Sequence, residues 1–135
     1  MQGIARGFSL IELVVVLGII ALIATIAVPS YQRHIMAARR TDAVTTLLSI
    51  QSKEEKWRAS DLDYATLGEI GWNGTLSNAG HYHLRMTNRD AARFRLEAIP
   101  RADGPQANDL CGTFVMTQDG PDYRQPYADR TCWRR

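Results

Sequence analysis

The sequence predicts an α+β fold, a long N-terminal helix whose second half packs on a small antiparallel sheet. Three observations predict it. Residues 8–28 form an unbroken apolar run, residues 29–60 keep helical spacing but become one-sided, and residues 81–117 alternate apolar and polar side chains with the period of two that marks strands. Of the 135 residues, about a hundred lie beyond the apolar run, enough to build one compact core but not two.

The first element is the run itself. Phe8 to Val28 is 21 residues whose only ionisable side chain is Glu12. As a helix it rises roughly 31 Å at 1.5 Å per residue, the thickness of a bilayer's hydrocarbon core. A charge at the centre of such a span costs on the order of 2.5 to 3.5 kcal/mol, less towards its end, so an acid kept here calls for a partner. A local reading stands beside that one: Ser9-x-x-Glu12 has capping-box spacing, with Glu12 as the first-turn acid that the helix dipole favours. The two readings are compatible. In front of the run, Met1 to Gly7 is short and carries Arg6 as its only charged side chain, and no small-residue cleavage triplet follows Val28. The order of a secretory signal therefore fails, and the apolar run is expected to stay with the protein.

Past Val28 the helix continues to about Ser60, for a total of roughly 80 Å. Pro29 removes a backbone donor and is expected to bend it, and Gly18 lowers helix propensity within the span. Ala43, Leu47, Ile50 and Trp57 then recur on one face with Glu54 continuing the stripe, whereas Arg39, Arg40, Lys53, Glu55 and Arg58 fall largely elsewhere. A helix lying on a sheet needs such a face, so the stripe reads as core. Residues 61–80 break into short polar pieces rich in Gly and Asn and read as a loop; Trp72 is either tucked against the domain or turned outward, and Asn73-Gly74-Thr75 reads as a turn.

The strands follow. Tyr82, Leu84 and Met86 alternate with His83, Arg85 and Thr87; Phe94, Leu96 and Ala98 alternate with Arg93, Arg95 and Glu97; Thr113 to Thr117 forms a third short run. Their polar alternates are expected to face solvent or neighbouring molecules. Asn88 to Ala92 turns the first strand into the second, and Pro100 to Asp109 is a loop. The two cysteines, Cys111 and Cys132, form no CxxC. In an oxidising compartment they should pair, closing a loop of 22 residues and fastening a segment with little regular pattern; otherwise they are two buried thiols.

Composition excludes much. The net charge of +2 and the absence of a long charge block or low-complexity tract compel no nucleic-acid partner. His81-x-His83 places two imidazoles on one strand face, but no third ligand has suggestive spacing, so neither a metal nor another cofactor is expected. No nucleophile elbow, phosphate loop or zinc-protease motif is present, and the chain is not expected to be an enzyme.

Gly7 followed by Phe8-Ser9-Leu10-Ile11-Glu12-Leu13-Val14-Val15-Val16, then Ala27-Val28-Pro29-Ser30-Tyr31-Gln32, resembles the class III signal and N-terminal helix of type IV pilins and related pseudopilins. The resemblance implies the type IV pilin fold, with residues 1–7 as leader peptide, 8–28 as membrane-spanning assembly helix, 29–60 as its amphipathic continuation and 61–135 as the globular head. It implies cleavage between Gly7 and Phe8 by a prepilin peptidase, methylation of the new Phe8 amine, and pairing of Glu12 with the Phe8 ammonium of a neighbouring subunit during filament assembly. Two charges that are each costly in lipid become tolerable as a pair. The resemblance also implies that Gly18 to Pro29 is the stretch that unwinds inside the filament, although a membrane helix accepts Gly and Pro for ordinary packing reasons too. Asp109-Leu110-Cys111-Gly112-Thr113-Phe114 with Thr131-Cys132-Trp133 looks like the disulfide-bounded C-terminal loop of small pilins, closest to the PilE-type minor pilins.

The expected partners are other pilin subunits, prepilin peptidase and the inner-membrane pilus assembly machinery. The expected location is the bacterial inner membrane, with a periplasmic head, and then the extracellular pilus. Counting cations near the span, Arg6 against Arg33, Arg39 and Arg40, points to the opposite orientation; the leader motif is the more specific of the two. The reading that follows is a structural subunit, a minor pilin serving pilus biogenesis, twitching or adhesion. A type II secretion pseudopilin is one rival. A pilin-like DNA receptor is the other, since Arg85, Arg93 and Arg95, with Arg89, cluster on adjacent strands, and Arg124, Arg130, Arg134 and Arg135 lie near the end of the chain. Residues 80–135, however, hold nine Arg and seven acidic residues, and interspersed charges of both signs make weak fields.

Overall fold

The computed structural model describes residues 7–87 and 89–134. Met1 to Arg6 of the expected leader, Asn88 of the expected turn, and Arg135 lie outside the described residues. The chain divides into two units, Met1–Ile35 and Met36–Arg135.

Helix α1, Leu10–Arg58, is a single 49-residue element. In the first unit it opens with Leu13 N–H donating to the Ser9 carbonyl at 3.2 Å. Among the described residues, the Ser9 and Glu12 side chains make neither hydrogen bond of a capping box. The helix continues through Gly18 and Pro29. Pro29 withdraws one donor, as any proline must, but the helix runs on through it.

In the second unit the same helix buries Asp42, Ala43, Thr46, Leu47, Ile50 and Glu54. The apolar members are the predicted stripe without Trp57, which is only half-buried. The sheet lies in the order β1-β2-β3-β4, with each neighbouring pair antiparallel. Its strands are β1 Tyr82–Thr87, β2 Arg95–Pro100, β3 Phe114–Thr117 and β4 Gly120–Pro121. Tyr82, Leu84, Leu96, Ala98, Phe114 and Met116 point into one core with Ala43, Leu47 and Ile50. Phe94, expected inside the second strand, precedes it and is buried edge-on against Tyr64, ring centroids 4.9 Å apart.

Two expectations are corrected here. The outer face of the sheet is not wholly polar and solvated, because Glu97 and Val115, which face each other across β2 and β3, are buried as well. The segment between the cysteines also holds regular structure: β4, and a short helix α2, Arg130–Trp133, whose N-cap Asp129 accepts hydrogen bonds from the Thr131 and Cys132 amides. Cys111 and Cys132 form the disulfide, with Cα atoms 5.8 Å apart.

Polar side chains fasten the long loops to the helix. Asp42 accepts from Ser77 Oγ at 2.6 Å, Ala79 N at 2.8 Å and His81 N at 3.2 Å, so one helical carboxylate seats the loop just before β1. Gln106, fully buried, donates to the Met36 carbonyl, Tyr82 Oη and Asp109, while Asp109 receives a two-point bond from Arg40 at 2.8 and 2.6 Å. Trp72 is half-buried against the core with its indole N–H on the Leu76 carbonyl, which settles its placement as tucked in. Glu54 is the least comfortable member. Its Oε2 accepts from Ala65 N at 2.9 Å, its Oε1 has no partner among the described residues, and burial raises its pKa above the ordinary glutamate range against the opposing pull of the Ala65 N–H and the Arg89 charge.

The disulfide closes the loop that holds β4 and α2, so Cys111→Ser/Cys132→Ser in the full chain in detergent should lose about 3 kcal/mol on a chain-entropy estimate. Hydrogen exchange should accelerate first between residues 118 and 133, and uniform acceleration across β1 and β2 would contradict this placement. Glu54 titrates the other way from a paired acid. Its folded form holds a proton more tightly than its unfolded form, so wild-type stability should rise relative to Glu54→Gln as pH falls from neutral towards 4.5. Denaturant midpoints of both proteins across that range test it; a gap independent of pH would show that Glu54 does not titrate abnormally.

Candidate functional site

Two features of the chain are built for contact with something else. The first is the uncovered helix of the N-terminal unit. The large apolar side chains between Phe8 and Val28 are exposed, from 83% for Phe8 to 45% for Val16. The helix is long and apolar enough to cross a membrane, and its most apolar 18-residue window is 0% buried. A soluble protein does not leave such a surface in water. Glu12 sits in the first turn, exposed, with no ion-pair partner among the described residues. Gly7 and Phe8 lie just before the helix, separated from it by Ser9, and are exposed, and a Cβ at Gly18 would meet nothing within 4 Å. The residues expected to act in processing and assembly thus lie on or just before one uncovered element.

The second feature is the charged outer face of the sheet. Register places Arg85 opposite Glu97, and Arg85 grips Glu97 Oε2 through Nε at 2.9 Å and Nη2 at 2.6 Å. Arg95 takes the other oxygen at 2.9 Å and reaches Asp122 at 3.3 Å, with its guanidinium carbon 4.6 Å from the centre of the Tyr127 ring. Arg124 closes the row with a two-point bond to Asp122, both contacts 2.8 Å. The result is an alternating ladder, Arg85–Glu97–Arg95–Asp122–Arg124. Burial pushes the Glu97 carboxyl up, but Arg85 and Arg95 outweigh it and hold it below the ordinary glutamate range. Arg124, then Arg95, hold Asp122 far below the ordinary aspartate range against its burial.

Of the three arginines singled out for nucleic acid, the structure brings Arg85 and Arg95 together on Glu97. Arg93 pairs with Asp90 at 3.3 Å beside an open recess of about 490 Å³, whose walls include Arg89, Arg95 and Arg124 as well as Asp90 and Asp119. Asp122 was not foreseen. It joins β2 across 27 residues of chain, and nothing local in the sequence signals that pairing. The guanidiniums Arg85 and Arg93 are mostly exposed, 61% and 71%, while Arg95 is largely covered at 17%. His83 is exposed and His81 half-buried, and among the described residues no cluster of three or more metal-binding side chains forms.

Comparison with known proteins matches both features. Residues 4–28 match the prokaryotic N-terminal methylation motif, and residues 29–115 match the family described as "Type IV minor pilin ComP, DNA uptake sequence receptor". The chain is 34% identical to the type IV major fimbrial protein FimA of Dichelobacter nodosus, over 85% of this chain and 93% of that protein. It is 38% identical to a fimbrial protein of Pseudomonas aeruginosa, over 96% of this chain and 90% of that one. A 50-residue match, 44% identical, to the prepilin peptidase-dependent protein D of Escherichia coli spans 37% of this chain and 34% of that protein. With its uncovered N-terminal helix, four-stranded sheet and C-terminal disulfide, the chain belongs to the type IV minor pilins: a membrane-anchored prepilin that becomes a structural subunit of an extracellular pilus.

Proposed function

We propose that this pilin is cleaved between Gly7 and Phe8 by a prepilin peptidase, methylated on the Phe8 amine, and drawn into the filament by pairing of Glu12 with the Phe8 ammonium of a neighbouring subunit. The observation that carries the reading is Glu12 itself, a carboxylate with no partner among the described residues, on a helix whose apolar window is uncovered. Burying the apolar helices against one another replaces lipid contacts, and an acid desolvated in that bundle requires a cation. A new amine at Phe8 lies four residues away along the sequence, within reach of the same turn on an adjacent helix. Pro29 removes a backbone donor and Gly18 lowers helix propensity, so these are the positions where the helix can yield during packing. The chain acts through assembly and has no catalytic role of its own. Its partners are other pilins and the inner-membrane machinery that moves them.

A second reading concerns what the head is for. The family that matches residues 29–115 is described as a DNA uptake sequence receptor, and that match spans Arg85, Arg89, Arg93 and Arg95. We infer that the recess beside Arg93 and the exposed edge of the arginine ladder contact DNA phosphates during uptake. Because Glu97, Asp122 and Asp90 already neutralise their arginines, most of the affinity must come from fitted contacts and little from net charge.

Glu12→Ala should leave processing at Gly7 largely intact but reduce recovery of the subunit in sheared filaments by an order of magnitude or more; wild-type incorporation would remove Glu12 from assembly. For the second reading, binding of the full chain to duplex DNA should show a log–log salt slope no steeper than about −3, corresponding to about three neutralised phosphates. Arg85→Gln/Arg93→Gln should flatten that slope. Arg95 is left in place because, with Arg85 replaced, it is the cation that still pairs with the buried Glu97. Absence of binding at low salt, or an unchanged slope in the variant, would return the head to a purely structural role.

A further inference from the structure

Immediately beyond the apolar run, and within the N-terminal unit, the helix carries Tyr31, Arg33 and His34, all exposed, Tyr31 by 68%. The last wholly apolar residue of the span is Val28. At 1.5 Å per residue, Tyr31 lies roughly 4 to 5 Å and His34 roughly 9 Å beyond it along the axis, the depth of a headgroup layer. Arg33 does not point onward into water. Its Nε lies 3.4 Å from the Pro29 carbonyl, so the guanidinium is carried back one turn towards the end of the span. Its two Nη groups have no hydrogen-bond or ion-pair partner among the described residues, and neither does the His34 ring. At 3.6 residues per turn Tyr31 and His34 share one side of the helix and Arg33 falls about 160° round from Tyr31, so an aromatic ring with a polar tip and two nitrogen-bearing side chains ring the boundary of the apolar span, the chemistry of the membrane interface.

We propose that the collar of Arg33 on one side of the helix and Tyr31 with His34 on the other takes up anionic phospholipids of the leaflet on the head's side of the membrane, holding the subunit at fixed depth until it leaves for the filament. Arg33 offers its free Nη donors to a lipid phosphate, while His34 offers a donor to another headgroup on the side it shares with Tyr31, whose ring lies against the glycerol and upper acyl region with its hydroxyl in the headgroups. Continuity with the span selects a bilayer as occupant, and the unpartnered cation selects the anionic lipids within it. The site also bears on the cation count that opposes the expected orientation. Of the three arginines after the span, Arg40 is committed to Asp109, while Arg33 acquires a lipid counter-ion.

The test uses the full-length protein, reconstituted in phosphatidylcholine vesicles with and without phosphatidylglycerol and released from detergent micelles for native mass spectrometry. Wild-type protein should retain phosphatidylglycerol in preference to phosphatidylcholine. Arg33→Gln should lower that preference about fivefold, as expected for one cation at an anionic surface, and Arg33→Gln/His34→Gln should abolish it. Lys56→Gln, an exposed cation near the far end of the same helix, should change nothing. Circular dichroism on each variant separates lost lipid from lost helix. Equal retention of the two lipids by wild type, or retention unchanged in Arg33→Gln, overturns the proposal. Displacement of the lipid by inorganic phosphate alone would assign a soluble anion instead and also overturns it. Unchanged lipid retention with reduced entry into filaments would place Arg33 on a neighbouring subunit, again against the proposal.

Discussion

The rest of the structure depends on one constraint: a single helix must satisfy two environments in succession. Between Phe8 and Val28 it is apolar on every side, so no folded head of this size could cover it and only lipid or other helices can. From Met36 to Arg58 it is one-sided, and Ala43, Leu47 and Ile50 find their cover within the same chain. The first half therefore makes the protein a membrane resident and then a polymer. The second half makes it a domain. Neither half can exchange roles, because polar side chains such as Asp42, Thr46 and Glu54 would be stranded in lipid.

Those polar residues on the buried face explain how the head holds long irregular loops with only four short strands. Asp42 receives three donors from residues 77–81, which fixes where the loop ends and β1 begins. Gln106 and Asp109 perform the same service for the loop between β2 and β3, bonding to Met36, Arg40 and Tyr82. Buried acceptors with satisfied geometry specify one arrangement where apolar contact alone would permit several. Glu54 shows the limit of the device: one oxygen is used, the other is not, and the site is held in place by the apolar residues around it.

Much of this was legible in the sequence, and the failures have a common cause. Periodicity found α1, three strands and the core stripe, since each rests on contacts that repeat every two or every three to four residues. Compartment reasoning paired Cys111 with Cys132. Periodicity could not show that Asp42 and Gln106 are anchors, because their partners lie 35 and 70 residues away. Nor could it show that Glu97 is buried, because the alternation of β2 assigns it to the outer face. Cover on that face comes from arginine side chains and from Asp122, residues that composition reads as solvated. α2 escaped notice for a different reason: four residues held by the Asp129 cap and the disulfide carry no periodic signal.

The ladder on the sheet also limits what kind of partner the head can have. Five charges alternate in sign across adjacent strands, so their fields largely cancel within a Debye length and cannot draw a polyanion from a distance. They can still recognise one on contact. Arg85 and Arg124 each spend Nε and Nη2 on a buried carboxylate, which fixes the guanidinium plane and leaves Nη1 without a hydrogen-bond partner among the described residues, free to bond at little further entropic cost. A surface of this kind discriminates by geometry more than by charge.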